Sequence, residues 1–170
     1  MKRITELMTL TLLAFGLSLT ANAEIAAIDS RKSHEMVTQN PNNAFIVDVR
    51  SQAEYELVGH VDVPNGSPNI PFKFYPGWRE NPHFVDQVAR RFSQDKTLII
   101  MCRSGSRAKP AAAMLEQAGF KHVYYMSDSF EGPEDKNGHR TIGGWKLNGL
   151  PYTYTLDEDL VYSELDYQSP

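Results

Sequence analysis

Three apolar runs stand out along the chain: Ala44-Phe45-Ile46-Val47-Asp48-Val49, Thr97 to Cys102, and His122 to Met126. Each is short, rich in β-branched residues and bounded by polar or turn-forming positions, the pattern of strands buried on both faces. Helical spacing fills the intervals. Ser30 to Gln39 reads as a helix that Pro41-Asn42-Asn43 ends. Ser51-Gln52-Ala53-Glu54 forms a capping box opening a short helix over 51–58, with Gly59 as its stop. Asn81-Pro82 predicts an N-cap and first position for a helix through Arg91, with Phe84, Val88 and Phe92 on one face. Ala108 to Ala118 places Ala111, Ala112 and Leu115 at helical spacing before Gly119, and Pro110 fits its first turn. Strands alternating with helices predict an α/β fold: a mostly parallel central sheet flanked by helices on both faces, with ligand sites beyond the carboxyl ends of the strands.

The ends of the chain read differently. Lys2 and Arg3, an uncharged apolar stretch from Met8 to Leu19, and Ala21-Asn22-Ala23 are the three parts of a secretory signal peptide. That stretch is shorter than the roughly 20 residues a membrane span needs. The expected organisation is a signal peptide over 1–23, one domain over 24–154 and an acidic tail over 155–170 that packs loosely. The mature protein is expected to be exported, periplasmic in a Gram-negative source, and free of the membrane after cleavage.

The chain has 170 residues, 41% of them hydrophobic, enough for one core. With 17 basic and 21 acidic residues the formal net charge is -4, which argues against nucleic acid as a partner. One cysteine rules out an internal disulfide. An unpaired thiol in an oxidising compartment invites oxidation unless it is buried or used.

Cys102 closes the second run, with Arg103-Ser104-Gly105-Ser106-Arg107 and then a helix behind it. That order turns the thiol toward the orphan amides and positive dipole end of the helix, a setting that favours an anion. Two arginines and two serines beside the thiol suit anion capture and do not suit a dry core. Asp48, Arg50 and Glu54 read as an ion-pair and hydrogen-bond set fixing the strand-to-helix turn. Tyr124, Tyr125, Trp78 and Trp145 read as core or rim aromatics.

On Asp48-Val49-Arg50, Glu54, Gly59-His60, Asn69-Ile70-Pro71, the loop from Cys102 to Arg107, Gly144-Trp145 and Gly149-Leu150-Pro151, in that order, the chain resembles the rhodanese (thiosulfate sulfurtransferase) family in its single-domain form. The resemblance covers roughly residues 30 to 151. It implies a rhodanese-like fold and a persulfide-carrying catalytic Cys102 that takes sulfur from thiosulfate or a related small anionic donor. Cyanide, a thiol or a protein then accepts the sulfur. It further implies substrate binding by Arg103, Ser104, Gly105, Ser106 and Arg107, with the amides of 103–107 cradling the persulfide, and it requires no cofactor. Two segments depart from the family pattern: the long turn from Val61 to Pro68, and polar residues Glu131 to Gly143 near the expected mouth of the site. The second is read as a solvated excursion, with a lid or docking surface using His139 and Arg140 as the alternative.

Cysteine phosphatases and arsenate reductases also set a cysteine and an arginine between strand and helix, but in the pattern C-x5-R. Here four residues separate Cys102 from Arg107, removing up to about 3.5 Å of contour from the anion cup. Such a phosphatase also wants a general acid, for which Asp128 or Asp135 is available by composition. A module that stores sulfur or binds an anion without turnover is a further alternative. No metal is expected: His34, His60, His83, His122 and His139 lack paired ligand spacing. Asp135-Lys136-Asn137-Gly138 has Pro133 and Gly144 where a calcium loop needs its first and last ligands.

Overall fold

The structure, a computed structural model, describes residues 25–164. The predicted signal peptide and the last six residues of the tail lie outside that range. The elements run β1 (Ala26–Ile28), α1 (Ser30–Gln39), β2 (Ala44–Asp48), α2 (Gln52–Val58), β3 (His60–Val61), β4 (Lys73–Phe74), β5 (Arg79–Glu80), α3 (Phe84–Arg91), β6 (Thr97–Met101), α4 (Ala108–Gln117), β7 (His122–Met126) and β8 (Tyr152–Thr153). Four of the strands form one parallel sheet in the order β1-β7-β6-β2. β3 with β8, and β4 with β5, make two small antiparallel pairs.

Alternation along the central strands divides the core. Val47 and Val49 share one face with Leu98, Ile100 and Cys102, where α3 brings Phe84 and Val88 and α4 brings Ala111 and Leu115. Ile46, Ile99 and Met101 point the other way, onto Val37 of α1 and the buried Phe130 and Trp145. Helices therefore cover both faces, and this is why the strands read as continuous apolar runs. Each fully buried aliphatic or aromatic side chain contributes roughly 1.5 to 3 kcal/mol by leaving water. Because side chains alternate with period two, Cys102 continues the Leu98-Ile100 row and faces α4.

The capping box forms as the sequence predicts: Ser51 Oγ accepts from Glu54 N, and a Glu54 carboxylate oxygen accepts from Ser51 N. Other expectations shift. α3 starts at Phe84, because Asn81 makes a turn of its own. Its Oδ1 accepts from His83 N while its Nδ2 donates to Pro71 O and Gln87 Oε1. β6 ends at Met101, one residue before the cysteine. β7 is only partly buried, since the three-residue β1 alone lies beyond it in the sheet. β1 itself has too few residues to show a period in the sequence.

The tail departs most. Leu160 O accepts from Asn69 N at 2.7 Å, and the Asp159 carbonyl accepts from Arg91. Tyr162 is buried, with its ring 5.6 Å from that of Phe74. Residues 160 to 164 thus form a strap reaching from Asn69 to Phe74, whereas residues 155 to 159 are exposed.

Candidate active site

The loop after β6 is held from below by the segment that follows β7. Cys102 N donates to Ser129 Oγ at 3.1 Å, Cys102 O accepts from Phe130 N, and Arg103 O accepts from Glu131 N. At Gly105 the chain turns with φ +95°, and a Cβ there would stand 2.5 Å from Ser127 O. Only glycine fits both the conformation and the space. The turn directs Gly105 N–H at Cys102 Sγ, 3.1 Å away, while Gly105 O accepts from Lys109 N as the loop enters α4.

Cys102 has no exposed surface. Its sulfur meets Gly105 N–H and, at 3.7 Å, the Ser129 hydroxyl. The shorter bond from that hydroxyl goes to Met126 O at 2.8 Å. Among the described residues Gly105 supplies the one loop amide on Sγ; the expected cradle of amides from 103–107 concerns the outer sulfur of a persulfide. Ser129 has no counterpart in the sequence expectations. It sits at φ +50° inside a polar segment, and nothing in its spacing from Cys102 announces the contact.

Beside the loop lies a cleft of about 410 Å3. Arg103, Ser104, Ser106 and Arg107 line it together with Glu54, Lys73, Trp78, Pro110 and Arg140. Four of the loop residues named from the sequence therefore share this cleft, while Gly105 and the buried Cys102 are not part of its lining. Both arginines, however, already hold carboxylates. Arg107 makes a bidentate pair with Glu54, both bonds 2.7 Å, and its guanidinium lies 5.1 Å from the Trp78 ring centre. Arg103 pairs with Glu131 at 2.8 Å and is nearly half exposed.

Glu54 consequently does more than close the turn at α2. Burial pushes its carboxyl up, but the hydrogen bonds and charge of Arg107, together with Ser51, outweigh this and bring it from 4.5 to about 2. The same pairing raises Arg107 against the cost of its burial. Asp48 and Arg50 form the purely structural part of the set. Both are fully buried, Arg50 Nε and Nη2 donate to the Asp48 carboxylate, and Nη2 also donates to Gly59 O. The Arg50 guanidinium lies 4.2 Å from the Phe130 ring centre, which ties the β2–α2 turn to the residue next to Ser129.

The excursion after Glu131 divides in two. Pro133, Glu134 and Lys136 to His139 are solvated, whereas Arg140 returns to the cleft, held by Gly132 O and Glu134. His139 does not line the cleft and Arg140 does. Trp78 is a rim residue and Trp145 a core one. Neither candidate general acid is free. Asp128 accepts from Ser30 N, Ser30 Oγ, Gly144 N and Asn148 Nδ2, and Asp135 holds its own loop through Asn137 N, His139 N and Thr141 Oγ1. Among the described residues no three His, Cys, Asp or Glu side chains are grouped to hold a metal ion.

Residues 27–135 match the family described as rhodanese-like domain. Uncharacterized protein RP600 of Rickettsia prowazekii is 35% identical over 130 residues, which span 75% of this chain and 96% of that protein. The crystal structure of Rv0390 from M. tuberculosis superposes with a TM-score of 0.70 at 31% identity, over 78% of this chain and 100% of the other. The polysulfide-sulfur transferase homodimer from Wolinella succinogenes shares the fold, with a TM-score of 0.55 at 20% identity, over 78% of this chain and 80% of its own. With its cysteine between a parallel central strand and a helix, and with these relatives, the chain belongs to the rhodanese-like domain family.

Proposed function

We propose that the protein is a sulfurtransferase that moves sulfane sulfur from thiosulfate, or a related small anion, to a thiophilic acceptor through a persulfide on Cys102. The Cys102 thiolate attacks the outer sulfur of thiosulfate; the sulfur–sulfur bond of the donor breaks, and sulfite leaves with its electron pair. Cys102 then carries one extra sulfur, which a nucleophilic acceptor removes, returning the thiolate. The observation that carries this reading is the Gly105 N–H, 3.1 Å from Sγ, in a loop whose Arg103 and Arg107 line the neighbouring cleft. A donor hydrogen there steadies negative sulfur, and the arginines offset the unfavourable field of an acidic protein on an anionic donor.

The phosphatase reading loses support, because Asp128 and Asp135 are both engaged in structural hydrogen bonds. A carrier without turnover is favoured by one feature, the complete burial of Cys102. Thiocyanate formation from thiosulfate and cyanide separates the readings. It is expected in the wild type and absent in Cys102→Ser; hydrolysis of a phosphotyrosine analogue without thiocyanate would reverse the assignment. We propose that this chemistry takes place after export, on the strength of the leader-like residues 1–23. Sequencing the mature N-terminus tests that, with Glu24 expected first.

A further inference from the structure

We propose that the cleft lined by the loop after Cys102 is an acceptor subsite for a small thiol bearing carboxylates, selected by Arg140 and Lys73 and packed on Trp78. The inference rests on the persulfide reading above and names its acceptor.

Charge is the first ground. A chain of net charge -4 lines this cleft with Lys73, Arg103, Arg107 and Arg140 against one carboxylate, Glu54. Glu54 is spent on Arg107, whereas the partners of the other three, Glu80, Glu131 and Glu134, do not line the cleft. Lys73 and Glu80 are 3.4 Å apart with Glu80 largely exposed, and Arg140 pairs with a half-exposed Glu134. Both carboxylates are open to water, so a ligand carboxylate competes with Glu80 for Lys73 and with Glu134 for Arg140, which Gly132 O holds in place. Two other clefts among the described residues differ: the one between Ser51 and Tyr75 sets Arg79 against Glu56 and Glu164, and the one at β3 is lined by Asp62 and Asp157.

Size and shape are the second ground. About 410 Å3 falls within the range of sites for organic ligands, roughly 300 to 1,000 Å3, and far exceeds what an inorganic sulfur oxyanion fills. Trp78 gives the cleft an apolar surface. It is 47% exposed and held at φ +51°, a conformation costly for a bulky side chain, in the turn between β4 and β5. Its ring lines the cleft beside Arg107.

The step balances without a further reactant. The acceptor thiolate attacks the outer sulfur of the Cys102 persulfide; the bond between that sulfur and Cys102 Sγ breaks. Sγ keeps the electron pair as thiolate, and the acceptor leaves as a persulfide with its proton.

The test is single-turnover desulfuration of the full-length persulfidated protein, followed by intact mass, with mercaptosuccinate (dianionic) and thioglycerol (neutral), and rates expressed per thiolate. The expected preference for mercaptosuccinate is about tenfold, carried mainly by the concentration giving half-maximal rate. Arg140→Gln and Trp78→Ala each reduce it several-fold, and the exposed-charge control Lys121→Gln retains it. Equal rates for the two thiols, or a preference that survives Arg140→Gln together with Lys73→Gln, overturn the inference and leave the persulfide reading standing. If Cys102 takes up sulfur from neither thiosulfate nor polysulfide, both fall. Quenching of Trp78 fluorescence by succinate, absent in Trp78→Phe, is expected independently of loading; its absence from the wild type also counts against the subsite.

Discussion

Gly105 is the residue on which the site geometry turns. Its φ of +95° and the Ser127 carbonyl 2.5 Å from where a Cβ would stand leave no room for alanine. Gly105→Ala is expected to cost about 1 to 3 kcal/mol of stability, read by denaturant unfolding, and to abolish sulfur uptake by swinging the N–H off Sγ. Glu54 carries the clearest pH signature. Its carboxyl is held at about 2 in the folded protein, well below the ordinary 4.5. The stabilisation is therefore complete above the unfolded value and is lost as pH falls through it toward 2, where the folded carboxyl also takes up its proton. Glu54→Gln is expected to lower stability at neutral pH by about 1 to 3 kcal/mol and to flatten its decline between about pH 4.5 and 2. An unchanged acid limb in the variant would show that Arg107 does not hold this carboxylate.

Among elements, the segment from Met126 to Glu131 matters as much as the cysteine loop it supports. Ser129 satisfies the Cys102 amide, and both groups are buried, so Ser129→Ala leaves a donor unpaired. The expected loss is about 1 to 3 kcal/mol, with slower persulfide formation because the loop is no longer pinned beneath Sγ. Unfolding midpoints and loading rates check the two effects separately. The elements around the site were readable from sequence where one local rule decided them: the apolar runs of β2 and β6, the Ser51–Glu54 box, Gly119 after α4. Sites that depend on distant partners were not. Ser129 meets Cys102 from 27 positions away, and Arg107 meets Glu54 from 53. Asn81 looked like a helix cap, but its side chain bonds across to Pro71 O, and that tertiary contact set the start of α3. The two arginines of the loop stood out in the sequence as an anion-binding pair beside the thiol, yet their carboxylate partners Glu131 and Glu54 lie on other elements and left no mark beside them.

At the scale of the whole molecule, the sheet, the strap and the cleft are mechanically joined. The strap packs Tyr162 on Phe74, in the hairpin whose turn brings Trp78 to the cleft. Tyr162→Ala is expected to cost about 2 to 4 kcal/mol, read by thermal or denaturant unfolding, and an unchanged midpoint would mean that residues 160 to 164 do not brace the fold. The chain as a whole is acidic, while the loop after its one cysteine shares a cleft with Lys73 and Arg140, so cationic side chains, each with a carboxylate partner, gather beside the site that an anionic sulfur donor must reach. The most direct measurement is the intact mass of the protein after incubation with thiosulfate, beside Cys102→Ser. The account predicts a gain of one sulfur atom on the wild type, reversed by cyanide and missing from the variant. A wild type that gains nothing, or a variant that gains the same mass, would contradict it.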